Sequence, residues 1–217
     1  MLTIHRFTFN PYQENTYVVS DQTGACVIID PGCYTQTEES MLRDHISHHG
    51  LRVEKLLNTH GHIDHMLGNY FVKNTYDVPF VTHEKVIGEL EATKSYGAMM
   101  GLNPTPSPAP DQLVAHGDTV SFGETVFEVL FTPGHSAGHI SFFHPPSNNL
   151  FSGDVLFQGS IGRTDLPGGS MTVLMKSIYD HLLPLDDAVR VHCGHGPETT
   201  IGQERRYNMY ILKYPPQ

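Results

Sequence analysis

The chain has 217 residues, of which 39% are hydrophobic and 10% aromatic. This composition suits a single soluble domain, residues 1–217, large enough to bury a core without disulfides. Its 13 basic and 23 acidic side chains give a formal net charge of −10, the opposite of what a nucleic-acid-binding surface needs, so we expect no nucleic-acid partner.

The first half of the chain predicts short strands and helices. β-Branched and aromatic residues between turn formers indicate the strands, and Asp30-Pro31-Gly32 ends the third of them. Thr35 and Glu38 have the spacing of a capping box, which opens a helix that stops at Gly50. The predicted strands are 3–9, 16–19, 25–29, 53–59 and 78–81. The predicted helices are 35–49, 66–73 and 84–100.

A proline-rich stretch, 101–110, divides the two halves. Its four prolines at alternate positions exclude both helix and sheet interior, so it is a stiff surface connection, either a linker or a loop beside the active site. The strands predicted after it are 119–122, 125–131, 140–143, 149–152 and 188–192. The helices predicted after it are 171–182 and 200–212. This order fits sheets packed face to face with helices outside.

One segment concentrates potential metal ligands. His60, His62, Asp64 and His65 occupy six consecutive positions directly after an apolar run. Residues two apart point the same way only in extended backbone, so His60 and His62 can chelate one ion from a loop that leaves a strand. Asp64 and His65 suit a second ion beside the first. Four such groups crowded together need a positive charge to hold them, which predicts a metal site.

Three further candidates follow other predicted strands. His135, Asp154 and His195 each come after an apolar, β-rich segment, and each lies next to a glycine. Alone, His135 would be interpreted as a turn histidine and Asp154 as the start of an Asx turn. Strands side by side bring such loops to one edge of a sheet, and the coincidence with the histidine cluster favours one shared site.

The cysteines indicate a reducing compartment. Cys26, Cys33 and Cys193 form neither a CxxC pair nor an even disulfide set, so reduced thiols are the simpler interpretation. The first residues lack the basic segment and apolar run of a signal peptide, and no apolar stretch approaches the ~20 residues that span a bilayer. We expect a cytoplasmic protein that does not bind membranes. Nothing in the sequence indicates an oligomeric state.

The motifs resemble the metallo-β-lactamase superfamily, specifically its single-domain glyoxalase II-like hydrolases. The resemblance extends over essentially the whole chain and implies an α+β fold, a four-layer αββα sandwich, with a two-metal site. The matching segments are Asp-Pro-Gly at 30–32, Thr-His-Gly-His-Ile-Asp-His at 59–65, Thr-Pro-Gly-His at 132–135, Ser-Gly-Asp at 152–154 and Gly-His-Gly at 194–196.

The resemblance also implies the ligands and the chemistry. Two divalent ions would share a hydroxide that attacks the substrate, which makes Asp64 and Asp154 catalytic as well as metal-binding. Zinc is preferred, and iron and manganese are alternatives, because a His/Asp set accepts all three. Asp30 is expected behind a histidine ligand, orienting it. The implied ligands are His60, His62 and His135 for one ion, Asp64, His65 and His195 for the other, and Asp154 for both.

The implied activity is hydrolysis of small-molecule S-acyl thioesters such as S-lactoylglutathione. Full-length glyoxalase II holds glutathione with a basic C-terminal helical region, whereas this sequence ends shortly after His195, so we do not expect glutathione to be held in that way. The Gly-Arg-Thr-Asp segment at 162–165 resembles both compact glyoxalase II-like hydrolases and persulfide dioxygenases. Arg163 either grips a substrate carboxylate or forms a buried ion pair with Asp165.

Other interpretations stay open. A persulfide dioxygenase-like oxidoreductase needs one iron held by two histidines and a carboxylate, which His60, His135 and Asp154 could supply. A lactonase-type hydrolase of the same fold is a further alternative. The intact ligand set disfavours a non-catalytic scaffold. The apolar residues at 96, 99 and 100 are interpreted as helix-packing residues rather than a pocket wall.

Overall fold

The structure is a computed structural model that describes residues 2–214, apart from the side chains of residues 93–95. Short 3₁₀ turns lie at Ile63–His65, Glu84–Val86 and Pro145–Ser147, and a π-helical turn, Ile178–Leu182, follows the fourth helix. The strands are β1 (Thr3–Phe9), β2 (Glu14–Ser20), β3 (Ala25–Ile29), β4 (Arg52–Leu57), β5 (Phe80–Thr82), β6 (Gln112–Leu113), β7 (Thr119–Phe122), β8 (Thr125–Phe131), β9 (Ile140–His144), β10 (Asn149–Gly153), β11 (Leu156–Phe157), β12 (Ser160–Ile161), β13 (Arg190–Cys193) and β14 (Thr199–Thr200). The helices are α1 (Gln36–His48), α2 (Asn69–Tyr76), α3 (Ile87–Met99), α4 (Met171–Ser177), α5 (Ile201–Tyr207) and α6 (Met209–Lys213).

The strands form two six-stranded sheets and one hairpin. The first sheet has the order β1-β2-β3-β4-β5-β6, antiparallel from β1 to β3 and parallel from β3 to β6. The second has the order β14-β13-β10-β9-β8-β7, in which only β10 and β13 are parallel. The hairpin of β11 and β12 follows directly on β10.

Three apolar clusters separate four layers. In β3, Cys26 and Ile28 pack with the first group of helices, while Val27 and Ile29 face the second sheet. The same alternation in β10 sends Phe151 between the sheets and Leu150 towards the second group of helices. Because both faces of each sheet are covered, these strands are buried on both sides. The predicted α+β, four-layer αββα sandwich is confirmed.

Local sequence signals set several helix ends. The capping box is confirmed: the Thr35 hydroxyl accepts from the Glu38 N–H, and the Glu38 carboxylate accepts from the Thr35 N–H. Helix α2 begins three residues later than predicted, because the 3₁₀ turn Ile63–His65 is followed by a further turn at residues 66–68. The predicted 200–212 helix is broken at Asn208, whose backbone is extended and whose side chain accepts from the Tyr210 N–H.

The proline-rich stretch is an internal connection of the first sheet. The chain leaves α3, runs through 101–110 without helix or strand, and then pairs β6 with β5. The Ser107 hydroxyl accepts from the Asn69 side chain, and Gly97 packs so closely on Pro104 that a Cβ there would meet its ring at 2.6 Å. The linker interpretation is therefore wrong, since one sheet continues across the stretch.

The cysteines agree with their prediction, whereas the end of helix α3 does not. All three cysteines are unpaired, as predicted, and all three are also buried. Met99 is 82% exposed, and Tyr96 and Met100 are also exposed, so their interpretation as helix-packing residues is wrong. Within residues 2–214, every helix is too short or too polar to cross a bilayer.

Candidate metal centre

The candidate ligands lie on loops at one edge of the sandwich. In the first sheet, β4 runs parallel to β3 and leads into the 58–65 loop. In the second sheet, β8 and β10 both run antiparallel to β9, and β10 is parallel to β13. The carboxyl ends of these three strands therefore meet at one edge, and they lead to His135, Asp154 and His195. A bridge between Glu14 and His195 joins the two sheets there.

The seven predicted ligands form two triads with one residue between them. In each triad the ligand atoms lie within 4.8 Å of one another. Asp154 Oδ2 is 3.5 Å from His135 Nε2 and 3.5 Å from His195 Nε2, so it contacts one histidine of each triad. Its Oδ1 is 3.4 Å from His65 Nε2. The triads are His60, His62 and His135, and Asp64, His65 and His195.

Backbone carbonyls orient two of the imidazole rings. His135 Nδ1 donates to the Arg163 carbonyl at 2.8 Å, and His195 Nδ1 donates to the Tyr12 carbonyl at 3.1 Å. A carbonyl oxygen only accepts, so each of these nitrogens must carry the ring proton. The Nε2 atoms of His135 and His195 are therefore left with lone pairs, which point towards Asp154.

Asp30 orients the rings of His60 and His65. His65 Nδ1 donates to the Asp30 carboxylate at 3.1 Å. The Thr59 hydroxyl donates to the same carboxylate at 2.6 Å, so it accepts from His60 Nδ1 at 3.0 Å. The Nε2 atoms of His60 and His65 therefore also carry lone pairs. In the neutral form of these rings, four imidazole Nε2 atoms thus converge with free lone pairs, which is the form in which histidine binds a metal ion.

Several atoms of the centre fit a bound cation. His60 Nε2, His135 Nε2 and Asp154 Oδ1 are buried and have no hydrogen-bond partner in the described part of the chain. The Nε2 atoms of His65 and His195 lie 3.3 Å apart. At that distance the two atoms either share a proton or bind one metal ion, since two bare lone pairs would repel. Nitrogens bonded at ~2.0–2.1 Å to one tetrahedral zinc are roughly 3.3 Å apart, so the spacing suits a shared ion.

The charges also favour a cation. Burial and the neighbouring His135 lower the pKa of His62 to about 4, so that ring is neutral near pH 7. Burial tends to raise the pKa of Asp154, but the imidazoles, His65 first, hold it below its ordinary value. Burial tends to lower the pKa of His65, but the carboxylates, Asp154 first, raise it well above its ordinary value. The carboxylates thus draw positive charge into the centre.

Asp30 is placed as a support and not as a competing ligand. Its carboxylate accepts from the Thr59 N–H at 2.7 Å, from the Thr59 hydroxyl, and from the Asn58 amide at 3.2 Å. It also lies within 4.8 Å of His60 and His65 ligand atoms, but it faces the protonated side of the His65 ring. Asp30 therefore lies behind the His65 ring, and its orienting role stays a prediction.

Replacing Asp30 with asparagine is expected to weaken metal binding by about 10–100-fold. The new NH₂ group cannot accept, so at least one of the Thr59 and His65 donors loses its partner. Metal content after dialysis against a weak chelator, together with turnover, measures the effect. Asp21→Asn is the control, since Asp21 also accepts several hydrogen bonds but lies at the opposite end of β2. Full metal content and turnover in Asp30→Asn would contradict the orienting role.

The centre is accessible from one side. The His195 and Asp64 side chains are 25% and 15% exposed, whereas those of His60 and His65 are buried. The Phe157 ring lies 6.3 Å from the His195 ring, edge to face. Solvent therefore reaches the centre beside His195 and Asp64, with the Phe157 ring close by.

Arg163 lies next to the centre through its backbone. Its carbonyl fixes the His135 ring, while its guanidinium forms a two-point ion pair with Asp165 at 2.7 and 2.8 Å. The interpretation of a buried ion pair is wrong, because the two side chains are 59% and 67% exposed. The ion pair is therefore exposed to solvent.

Three residues that support the centre were not predicted. The Glu14 carboxylate is fully buried 3.8 Å from His65 Nδ1, and burial raises the pKa of Glu14 well above its ordinary value. Glu89 of α3 accepts from the Gly61 N–H at 2.9 Å. His139 accepts from the Asp154 N–H at 3.1 Å. Only His139 carried a signal, since it too follows a glycine at a strand boundary.

A two-sheet sandwich with such a cluster at its edge is the architecture of a metallo-hydrolase. A sequence model of the metallo-beta-lactamase superfamily matches residues 9–195. The chain belongs to this superfamily.

Similar proteins carry several names. The chain is 37% identical over 202 residues to "Hydroxyacylglutathione hydrolase GloC" of Haemophilus influenzae, covering 92% of this chain and 93% of that protein. It is 36% identical over 209 residues to "Probable metallo-hydrolase YqgX" of Bacillus subtilis, covering 95% and 96%. The fold is shared with the crystal structure of the BLEG-1 B3 metallo-beta-lactamase, at TM-score 0.89 and 36% identity over 96% of this chain and 99% of that one. It is also shared with the crystal structure of TTHA1623 in a di-iron-bound form, at TM-score 0.84 and 37% identity over 95% of this chain and 99% of that one.

Proposed function

We propose that the protein is a dinuclear metal-dependent hydrolase that cleaves small-molecule S-acyl thioesters, as glyoxalase II does. The observation that carries the proposal is the convergence of five imidazoles and two carboxylates, arranged as two triads with Asp154 between them. The likeness to a protein named as a hydroxyacylglutathione hydrolase supports the thioester substrate. The di-iron form of TTHA1623 supports two ions per chain.

The ligand set fits two divalent ions, zinc first and iron or manganese as alternatives. His60, His62 and His135 would hold one ion, and Asp64, His65 and His195 the other, with Asp154 touching both. When bound, such ions lower the pKa of coordinated water towards ~7 and polarise a carbonyl.

The chain's own residues supply position and access. Asp30 and two backbone carbonyls fix four imidazole rings, so the ligands need little rearrangement when an ion binds. Asp154 stays a carboxylate across neutral pH and balances the positive charge. The thioester carbonyl would enter beside His195 and Asp64, with the acyl or thiol portion against Phe157. Arg163, if released from Asp165, would receive a carboxylate of the substrate.

A substrate panel with metal quantification tests this proposal. The purified protein is expected to hold close to two metal ions per chain and to hydrolyse S-lactoylglutathione or a simpler S-acyl thioester faster than lactones. Removing the ions with a chelator should abolish hydrolysis, and adding Zn²⁺ should restore it. Activity that survives complete metal removal, or turnover of lactones alone, would contradict the proposed thioesterase.

A persulfide dioxygenase-like activity is the second candidate. It is favoured by the structural likeness to ETHE1 from Myxococcus xanthus, at TM-score 0.79 and 25% identity over 95% of this chain and 83% of that one. His60, His135 and Asp154 would then hold a single iron. One iron per chain, with oxygen consumed when glutathione persulfide is added, would support this candidate against the thioesterase. Either activity suits the cytoplasm, where three unpaired thiols stay reduced.

A further inference from the structure

His139 occupies the point where three ligand loops meet. It is fully buried at the start of β9, and its Nε2 accepts from the Asp154 N–H at 3.1 Å. Its carbonyl accepts from the Thr132 N–H at 2.9 Å, which closes the loop that carries His135. The next residue along the chain donates its N–H to the Thr59 carbonyl at 2.8 Å, so this point is also tied to the histidine cluster.

The hydrogen bonds of His139 determine its tautomer. The Asp154 backbone can only donate, so Nε2 of His139 must carry a lone pair and Nδ1 must carry the proton. Nδ1 lies 3.1 Å from the Thr132 hydroxyl, which therefore accepts; that hydroxyl in turn lies 2.9 Å from the Ser141 hydroxyl and can donate to it. Each group in this buried series of hydrogen bonds therefore has a fixed role as donor or acceptor.

Packing leaves His139 little freedom. Its ring stacks on the His60 ring, with centroids 4.9 Å apart and planes 22° from parallel. On the other side lies Gly153, at φ +48°, where a Cβ would meet His139 Nε2 at 2.7 Å and the Thr59 hydroxyl at 2.4 Å. The backbone of residue 153 is therefore pressed against the imidazole, and this contact aims the next residue, Asp154, at the triads.

We propose that His139 is a positioning residue of the metal centre: it holds the Asp154 main chain and the His60 ring in one fixed relation, so that the Asp154 carboxylate lies between the two triads. This role rests on the proposed metal centre. It does not depend on which substrate is cleaved. His139 touches neither substrate nor ion, because both of its ring nitrogens are already used.

Zn²⁺ affinity, measured by chelator competition, tests the role. In His139→Phe the ring can still stack on His60, but the Asp154 N–H loses its acceptor, and we expect Zn²⁺ binding to weaken by about 10–100-fold. His139→Gln retains an acceptor and should recover part of the affinity. Thr132→Val, which removes only the acceptor of the His139 Nδ1 proton, should give a smaller loss in the same direction if His139→Phe fails to fold.

A matched control and a metal-free readout separate positioning from general damage. His192 is also a buried histidine, bonded to Asn149 and stacked on Phe151, and His192→Phe should bind Zn²⁺ like the wild type. In metal-free protein, the Asp154 amide should exchange its hydrogen faster in His139→Phe and normally in His192→Phe. Wild-type Zn²⁺ affinity or an unchanged Asp154 exchange rate in His139→Phe would overturn the role. If neither the wild type nor any variant hydrolysed thioesters, the proposed substrate would be wrong. The Zn²⁺ affinities would still decide the role of His139.

Discussion

Replacing Asp154 with alanine is expected to release both metal ions and to abolish hydrolysis. Its carboxylate contacts histidines of both triads, at 3.4–3.5 Å from His65, His135 and His195. Loss of a residue that only orients a ligand costs about 10–100-fold in metal affinity, so loss of a shared ligand should cost at least about a hundredfold for each ion.

Metal content and thioester turnover of Asp154→Ala measure this effect. Asp180→Asn is the control for a lost negative charge, because Asp180 lies on the surface and pairs only with a neighbouring lysine, Lys176, among its described partners. It should hold two ions and turn over normally. Two tightly bound ions in Asp154→Ala would show that Asp154 is not shared, and the arrangement of the triads would need another explanation.

The sequence predicted well which candidate ligand side chains come together, because their signal is local. His60, His62, Asp64 and His65 stand within six positions after an apolar strand, where extended backbone brings alternate side chains together. The other ligands also follow strands and lie beside glycines. One such glycine, Gly194, is required there, since a Cβ would meet the Asp154 carboxylate at 2.2 Å.

The residues that support the ligands could not be predicted from such local signals. Glu14 reaches His65 only because β2 and the 58–65 loop lie at the same sheet edge, and Glu89 reaches Gly61 only because α3 packs beside that loop. These contacts join residues far apart in the chain. The exposure of the Arg163–Asp165 pair likewise depends on the tertiary surroundings of its loop. The spacing of the two residues in the sequence does not predict those surroundings.

The fold was predictable in its elements but not in its arrangement. Strand and helix positions follow from β-branched runs, caps and breakers, whereas the four-layer αββα arrangement came from the family resemblance. The order of the strands within each sheet was not predicted. The strands that were missed, β6, β11, β12 and β14, have two residues each, too few for an alternating pattern. The π-helical turn Ile178–Leu182 extends α4 within its predicted length, and nothing in its composition distinguishes it from α-helix.

Replacing Asp64 with alanine is expected to reduce the metal content from two ions to one and to lower thioester turnover by at least about a hundredfold. Asp64 Oδ2 lies 3.1 Å from His195 Nε2 and 3.8 Å from His65 Nε2, so it belongs to one triad only. It is a better target than His65, because removing that imidazole would leave the buried Asp30 and Glu14 carboxylates without their partner.

The same variant separates the two candidate activities. A dioxygenase that holds one iron through His60, His135 and Asp154 does not need Asp64, so its iron content and oxygen consumption should survive the substitution. A dinuclear thioesterase should lose turnover while the first triad keeps its ion. His62→Ala, which removes a ligand of the first triad only, is the matched counterpart and should leave the ion of the second triad bound. Undiminished thioester turnover in Asp64→Ala would mean that one ion suffices, and the dinuclear mechanism would then be wrong even if the substrate class is right.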